Sequence, residues 1–235
     1  MKDVFGKALL DYQNGISTGS LPENIITSTS ISDEDELPLA YLFRSFKEMP
    51  KLEQKALKLV KGKVLDVGCG SGSHSLYLQD KGIEIKAIDI SEGAIEVTKR
   101  RGVKHGEVLN VLDETESFDT ILLLMNGTGI FQEIKNVSIY LKHLKSLLNS
   151  GGQILIDSSD IKYMYEDEDG GIWQDANNAY YGELDYFLSY KGEKEQPMKW
   201  LYLDFNTLQT ACTSVELKCE LVSEGEHFDY LARLS

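Results

Sequence analysis

The chain has 235 residues, 42% of them hydrophobic, which suits one α/β domain with additions and allows a sizeable core. Its formal net charge of -14 opposes binding to a nucleic-acid backbone or an anionic membrane, because no basic patch in the sequence offsets it. Neither nucleic acid nor a membrane is therefore expected as a partner.

The amino terminus and the cysteines indicate the compartment. Residues 1–6 lack the basic start and apolar stretch of a signal peptide, and no apolar run approaches bilayer length. Cys69, Cys212 and Cys219 form no CxxC pair and have no matching histidine cluster. We expect a cytoplasmic protein with reduced thiols and no metal site, and the sequence leaves its oligomeric state open.

Residues 1–62 are expected to form an N-terminal helical cap. Apolar residues recur at helical spacing over residues 2–14, where Asn14-Gly15 supplies a stop. A polar stretch follows through Leu37, and helical spacing resumes after Pro38, interrupted at Pro50. Two acidic runs, at residues 33–36 and 166–169, are interpreted as solvated loops.

From residue 63 onward, short β-branched runs alternate with helical patterns, which favours a parallel sheet with helices on both faces. We therefore expect residues 63–235 to form an α/β fold with a doubly wound, mostly parallel sheet. The first five strands are predicted at residues 64–67, 84–90, 104–111, 118–124 and 153–157, and helices at 73–79, 91–100 and 139–148.

The chain departs from this alternation after the fifth strand. An aromatic-rich insertion covers residues 158–204, in which residues 184–190 and 198–204 alternate as the strands of an inserted β-hairpin. A helix at residues 207–213 follows. The chain then closes with a hairpin of residues 215–222 and 227–234.

The first predicted strand contains Asp66 and runs into a glycine loop with Gly68, Gly70 and Gly72. Glycines permit positive φ and let the backbone approach a ligand, while the helix that follows presents unpaired amides. The dinucleotide fingerprint needs its third glycine at position 73, which is Ser73. Asp66, directly ahead of the loop, can instead meet an ammonium group.

A second carboxylate, Asp89, ends the second strand, where it can accept hydrogen bonds from both hydroxyls of a ribose. Asp66 and Asp89 around one loop suit a cationic nucleoside better than a pyrophosphate. With these motifs the sequence resembles the class I S-adenosylmethionine-dependent methyltransferases, a seven-stranded Rossmann-like family. The resemblance is close over residues 63–157 and rests on order alone for the last two strands.

This resemblance implies a seven-stranded sheet with an antiparallel last strand, and S-adenosyl-L-methionine as the cofactor. In the family, an acid and a glycine loop hold the methionine part of the donor, a second acid binds the ribose, and the next residue packs on adenine. A further acid, followed by a small or apolar residue, often lies near the adenine amine; here Asn110 replaces that acid, and its amide oxygen can accept the same hydrogen bond. The matching positions are Asp66, Gly68, Gly70, Gly72, Asp89, Ile90, Asn110 and Val111.

Further candidates surround these positions. The fourth strand exits into Met125-Asn126 beside the transferable methyl group, where Asn126 either lines the site and caps a turn or acts directly. Cys69, inside the loop, is interpreted as a small packed residue rather than a reactive thiol. His74 can contact the donor carboxylate or lie there incidentally.

Tyr41 and Arg44 lie where some relatives close a helix over the donor. Arg44 can pair with the methionine carboxylate, and the alternative is a surface arginine beside a half-buried tyrosine. No general base is assigned, because methyl transfer from a sulfonium chiefly requires alignment and exclusion of water. The catalytic group therefore stays unknown.

The sequence predicts an S-adenosylmethionine-dependent methyltransferase that acts on an unidentified acceptor, for which a small molecule is favoured and a protein side chain stays open. The aromatic residues of the insertion can form the acceptor pocket, or they can pack the hairpin. A non-catalytic sensor or scaffold that binds the donor is the alternative, and an NAD-dependent oxidoreductase is disfavoured by Ser73 and by the position of Asp66. The aromatic candidates are Tyr163, Tyr165, Trp173, Tyr180, Tyr181, Tyr186 and Trp200.

Overall fold

A computed structural model of the chain describes residues 2–165 and 180–235. The acidic run at 166–169 and Trp173 lie outside the described residues. The N-terminal part holds helix α1 (Val4–Thr18), strands β1 (Ile25–Thr29) and β2 (Ser32–Leu37), and helices α2 (Leu39–Leu42) and α3 (Lys51–Leu59).

Helix α1 is longer than the predicted 2–14. Asp3 caps its start, where a side-chain oxygen accepts from the Gly6 amide at 2.8 Å. Gly15 does not stop the helix, because its missing side chain lets the helix pass against the backbone of Ser20. Gly19, in the left-handed conformation with φ 77°, ends it instead.

The elements that follow alternate as the sequence predicts. They are β3 (Val64–Val67), α4 (Ser73–Asp80), β4 (Ile85–Asp89), α5 (Glu92–Arg100), β5 (Gly106–Val108), β6 (Phe118–Leu123), α6 (Val137–Ser146) and β7 (Leu148–Ser159). The insertion contributes β8 (Glu183–Tyr190), β9 (Glu193–Lys194) and β10 (Met198–Leu201), and the chain closes with α7 (Phe205–Ser214), β11 (Cys219–Glu224) and β12 (Asp229–Leu234).

The central sheet has seven strands in the order β11-β12-β7-β6-β3-β4-β5. The last strand, β12, runs antiparallel to both of its neighbours, and the pairs from β7 to β5 are parallel. The predicted fold class is confirmed, including the antiparallel last strand. Parallel strands end at one edge of the sheet, so β3, β4 and β6 bring the predicted site residues to that edge.

A second, antiparallel sheet has the order β10-β8-β1-β2, with β9 beside β8. The inserted hairpin is thus confirmed, but residues 25–37 are not an irregular polar stretch, since they add two strands to the hairpin. Ile26 to Thr29 pair with Ser189 to Tyr186, and Ile25 is fully buried. The N-terminal part is therefore not helical throughout.

The acidic run at residues 33–36 lies in β2, at the edge of the second sheet, so its interpretation as a loop is wrong. All four carboxylate residues of the run are exposed. Strand propensity disfavours Asp and Glu, and the pairing with β1 overrides that preference here.

Buried apolar residues join the two sheets to the helices. One cluster packs β3, β6 and β7 against α6 and α7, and another packs the opposite face against α3. A third cluster brings α1, α5, β1 and β8 together. In the described part of the chain, no helix has both the length and the apolar character needed to span a bilayer.

Candidate functional site

The loop after β3 has the geometry of a ligand cradle. Gly68, Gly70 and Gly72 all lie in the left-handed region, with φ of 70°, 54° and 79°. A Cβ placed on Gly70 would meet only the ring of Phe5, at 3.9 Å, whereas a Cβ on Gly72 would press against Thr98 at 2.9 Å. The loop is therefore tightly packed at its end and open to a ligand at Gly70.

Asp89 holds this loop in place. One of its carboxylate oxygens accepts from the Gly70 amide at 2.9 Å, and the other accepts from the Ser91 amide at 2.9 Å. Burial raises the pKa of Asp89, and these two amides oppose the rise. The next residue, Ile90, has 74% of its surface exposed and is free to cover a ligand. The structure thus brings the glycine loop, Asp89 and Ile90 together.

Asp66 lies beneath the loop and is almost completely buried. The Ser75 hydroxyl donates to it at 2.6 Å, so Asp66 ties β3 to α4. Burial raises its pKa, although the charge of His74 and the hydrogen bond from Ser75 oppose the rise. Cys69 is also buried, with its sulfur 3.7 Å from the Thr98 hydroxyl. Burial raises the pKa of the Cys69 thiol well above its usual value, so a reactive thiolate is disfavoured.

The two predicted adenine-site residues differ in exposure. Asn110 is exposed at the end of β5, and its side-chain oxygen accepts from the Leu112 amide at 2.9 Å to cap a short helical turn. A second lone pair of that oxygen stays available to a ligand amine. Val111 is buried in the core instead, so its side chain does not reach a ligand at the surface.

The exit of β6 adopts a strained turn. Met125 and Asn126 both have positive φ, 67° and 60°. Asp157 of β7 holds this turn, accepting from the Met125 amide at 3.1 Å and from the Gly127 amide at 3.0 Å. Sequence reasoning missed Asp157, because only the pairing of β6 with β7 brings it to the turn.

The side chain of Asn126 points to structural partners. Its oxygen accepts from the Ser158 hydroxyl at 2.9 Å, and its amide group donates to the Leu201 carbonyl at 3.4 Å. Thr128 donates to the same carbonyl at 2.9 Å. Asn126 therefore links the exit of β6 to β10 of the second sheet.

Arg44 and His74 meet at a third residue, Glu53, which sequence reasoning missed. A terminal nitrogen of Arg44 donates to one Glu53 oxygen at 2.6 Å, and the His74 Nε2 lies 2.6 Å from the other oxygen. All three side chains are buried, and the guanidinium lies 4.0 Å from the ring of Tyr41. Within residues 2–165 and 180–235, the Arg44 Nε has no hydrogen-bond partner.

Glu53 and His74 shift each other's pKa. Burial alone would lower the pKa of His74, but its hydrogen bond to Glu53 and the charges of Asp66 and Glu53 outweigh burial and raise it. Burial alone would raise the pKa of Glu53, but His74 and Arg44 outweigh that effect and lower it. The group therefore favours a charged His74 beside a charged Glu53.

The N-terminal segment is fastened to the glycine loop. Arg101, at the end of α5, donates to the Ser71 carbonyl at 2.8 Å and to the Phe43 carbonyl at 3.3 Å. Asp3 accepts from the Ser91 hydroxyl and from the Gly93 amide, both at 2.8 Å. These contacts place α1 and α2 beside the loop, and the sequence carried no local signal for them.

Several aromatic candidates of the insertion have structural roles. Tyr180 and Tyr181 both donate to Asp204, at 2.7 and 3.2 Å, and the ring centroids of Tyr186 and Trp200 lie 5.4 Å apart. Tyr165 donates to the Tyr181 carbonyl at 2.7 Å. Packing of the insertion therefore accounts for most of the described rings.

An open cleft of about 270 Å³ lies at the carboxyl ends of the central strands. It extends from the strained turn after β6 to the start of β12, and α2 and α3 form its other wall. Its lining residues are Tyr41, Pro50, Leu52, Glu53, Met125, Asp157, Ser159 and Asp229.

Residues 40–217 match the family model described as a methyltransferase domain. The chain belongs to the methyltransferase domain family. The crystal structure of an S-adenosylmethionine-dependent methyltransferase from Bacteroides fragilis, in complex with S-adenosyl-L-homocysteine, superposes with a TM-score of 0.92 at 44% identity. That alignment covers 100% of this chain and 94% of the Bacteroides chain.

Two relatives found by sequence agree with this result. An uncharacterized methyltransferase of Staphylococcus carnosus is 28% identical over 74% of this chain and 78% of its own length. The malonyl-[acyl-carrier protein] O-methyltransferase of Serratia marcescens is 23% identical over 71% of this chain, and the match spans 57% of that enzyme. The resemblance seen in the sequence is thus confirmed, as are the methyltransferase activity and S-adenosylmethionine as the cofactor.

The residues present fit this cofactor. The loop leaves open space at Gly70, where a side chain would otherwise stand, and Asp89 and the exposed Ile90 adjoin that space. Among the described residues, no three His, Cys, Asp or Glu side chains form a group that could hold a metal ion.

Proposed function

We propose that this methyltransferase acts on a small-molecule acceptor that enters the cleft beside Met125, with the donor bound along the glycine loop. The observation that carries the proposal is the position of the cleft. Met125 and Asp157 line it at the ends of β6 and β7, and so does Glu53, whose partner His74 lies in the helix that follows the glycine loop. A cleft of about 270 Å³ suits a small molecule rather than a folded protein surface.

In this proposal each residue of the donor site has a separate task. The loop at Gly68 and Gly70 admits the methionine part of the donor. The Nε–H of Arg44, which has no partner within residues 2–165 and 180–235, donates to the methionine carboxylate. Asp89 accepts from the ribose hydroxyls, while Ile90 and Asn110 contact the adenine. When bound, S-adenosylmethionine supplies an electrophilic methyl group on a sulfonium. The chain aligns the acceptor with that group and excludes water.

We further propose that residues 1–62 act as a cap on residues 63–235, and that the protein works in the cytoplasm. The contacts of Arg101 with the Ser71 and Phe43 carbonyls support the cap, because they join the N-terminal segment to the loop. Reduced cysteines support the location, since Cys69, Cys212 and Cys219 are all free.

Isothermal titration calorimetry tests the donor site. Asp89→Ala should weaken S-adenosylhomocysteine binding by about tenfold or more, because a charged acceptor of hydrogen bonds is removed. Glu84→Gln also removes one negative charge, but Glu84 precedes the amino-terminal end of β4, at the other end of the strand from Asp89, so this variant should leave the affinity unchanged. Circular dichroism checks that Asp89→Ala stays folded. Full affinity in the folded variant would remove Asp89 from the site, and tighter binding of NAD than of S-adenosylhomocysteine would exclude the proposed donor.

A donor-turnover screen separates an enzyme from a sensor. Purified protein is incubated with S-adenosylmethionine and pooled metabolites, and the release of S-adenosylhomocysteine is measured against a sample without metabolites. Release that depends on one metabolite supports the proposal. Release that depends only on added proteins would contradict a small-molecule acceptor, and no dependence on either would favour the sensor.

A further inference from the structure

The floor of the cleft carries two carboxylates. Asp157 lies on β7 and Asp229 begins β12, where it pairs with Ser159. Residues two apart on a strand share a face, so Asp157 lies on the same face as Ser159 and its partner Asp229. Asp157 and Asp229 are thus diagonal neighbours, and the Cα atoms of such neighbours lie about 7 Å apart. Neither forms a salt bridge within residues 2–165 and 180–235.

The other charged groups at the cleft carry one net positive charge when His74 is charged. Glu53 lines the wall, but it is paired with Arg44 and His74, and both partners are buried. With the two carboxylates of Asp157 and Asp229, the cleft therefore keeps one net negative charge for whatever enters. Two carboxylates at neighbouring positions on one face repel each other, and a cation between them removes the repulsion.

One exposed aromatic ring lines the cleft, and another belongs to the residue that precedes Asp229. Tyr41 lines the cleft with 38% of its surface exposed. Phe228, next to Asp229 in the chain, is 64% exposed and stacks on Tyr163 with ring centroids 5.0 Å apart. Rings beside carboxylates attract organic cations through both charge and the ring faces. The net charge of -14 on the whole chain also draws cations toward the protein.

We propose that the acceptor is a small amine that enters as its ammonium ion, is held between Asp157 and Asp229, and is methylated on nitrogen. This inference rests on the proposed function and names the class of acceptor for the same cleft. Neutral alcohols and acids, which can also accept methyl groups, leave the two carboxylates without a partner.

The step balances with groups already named. The ammonium first gives one proton to the Asp157 carboxylate, which frees the nitrogen lone pair. The amine nitrogen then forms the new N–C bond as the C–S bond breaks, so the positive charge passes from sulfur to the methylated nitrogen, beside Asp229. Asp157 afterwards releases its proton to solvent.

The titration of Asp157 suits this task. Burial raises its pKa to about 6, the Gly127 amide opposes the rise, and the charge of Glu53 adds to it. The carboxylate is thus ionised at neutral pH, yet it is a stronger base than an ordinary aspartate. The titratable groups that face it are Glu53, His74, Asp229 and Tyr41.

The test uses matched amines and alcohols on protein saturated with S-adenosylhomocysteine. Benzylamine is compared with benzyl alcohol, and cyclohexylamine with cyclohexanol, by ligand-observed NMR. We expect the amines to bind about tenfold or more tightly than the alcohols. Asp157→Asn and Asp229→Asn should each remove most of this preference, and Glu84→Gln should keep it.

Either aspartate variant alone is informative if the other fails to fold, as a thermal melt will show. Equal binding of amines and alcohols, or a preference that survives in the folded variants, overturns the inference. Amine binding that disappears when S-adenosylhomocysteine is present also overturns it, because the cleft would then belong to the donor. Turnover of a neutral metabolite, with intact S-adenosylhomocysteine binding, would contradict the amine acceptor. It would leave the proposed methyltransferase function standing.

Discussion

Glu53 is the residue on which the N-terminal side of the site depends. Its carboxylate binds Arg44 from one direction and His74 from another, and all three are buried. The attraction inside such a group offsets the cost of removing the charges from water only while every member is present. Loss of one partner leaves a buried charge uncompensated.

Glu53→Gln should lower the free energy of unfolding by about 3 to 5 kcal/mol, measured by urea denaturation near pH 6. Because the pKa of His74 is raised in the folded protein, charged His74 contributes fully to the free energy of unfolding below about pH 6.5. That contribution is lost as the pH rises through the raised pKa. The lowered pKa of Glu53 means that its contribution is full above about 4.5 and is lost as pH falls.

The difference between wild type and Glu53→Gln should therefore be largest between about pH 4.5 and 6.5 and should narrow toward pH 8.5. Glu84→Gln serves as the control, since its carboxylate is mostly exposed, and should change stability by less than about 0.5 kcal/mol. A difference that stays constant with pH would show that His74 is not charged beside Glu53.

The residues that sequence reasoning located share one property. Their positions follow from local sequence patterns. Short apolar runs predict the first two strands, and Asp66, the glycines and Asp89 lie at or just after the ends of those strands. Glu53 lies nine residues from Arg44 and 21 from His74 in sequence. These three residues meet only because α3 and the segment before it pack against the start of α4, and no local sequence pattern predicts that contact.

At the scale of elements, α1 and α5 touch through their backbones. A Cβ placed on Gly93 would lie 2.6 Å from the Cα of Gly6, so the contact requires glycine at this position. Helix α1 also carries Phe5, whose ring lies beside Gly70 of the glycine loop. The docking of α1 on α5 is thus coupled to the cover of the donor site.

Gly93→Ala should lower the free energy of unfolding by about 1 to 3 kcal/mol, because the added methyl group forces the two backbones apart. It should also weaken S-adenosylhomocysteine binding, since Phe5 moves away from the loop. Thermal melts and calorimetry measure the two effects. Glu96→Ala, on the exposed side of α5, is the matched control. An unstable variant with unchanged affinity would uncouple α1 from the donor site.

Most helices of the central fold were predictable, because their apolar spacing is set by the sheet that they cover. The end of α1 was not predictable. A glycine after a helical pattern often ends the helix, but Gly15 lies inside α1 and leaves room for the backbone of Ser20. Whether a glycine stops a helix or permits a close contact depends on its three-dimensional neighbours.

For the whole molecule, the second sheet is the feature that the sequence concealed. Strand β8 was predictable from its alternation, and β2 was not, because its Asp and Glu residues have low strand propensity. Strand β1 contains Ile and Thr, which suit a strand, but it lies in a segment rich in Ser and Thr that was interpreted as a polar stretch. Strands β1 and β2 pair with each other as a hairpin, and β8 joins that hairpin to the inserted strands by pairing with β1 across more than 150 residues of chain. Propensity and periodicity are local, and this pairing is not.

Leu188 lies on β8 in the apolar cluster that joins β1, α1 and α5. Leu188→Ala should lower the free energy of unfolding by about 2 to 5 kcal/mol. Hydrogen exchange should increase in β1 and α1 as well as in β8, because one core serves all three. Phe187→Ala, on the same strand with 40% of its surface exposed, should have a small effect. Faster exchange confined to β8 would contradict a shared unit.

The acidic edge strand has a consequence during synthesis. The ribosome releases β1 and β2 long before β8, so for many seconds the hairpin has no partner strand and its backbone groups are open to other chains. The four carboxylates of residues 33–36 repel an identical strand from a neighbouring nascent chain. Because β8 pairs with β1, the outer edge of β2 never gains a partner strand, and its carboxylates disfavour pairing with other chains both before β8 is made and in the finished sheet.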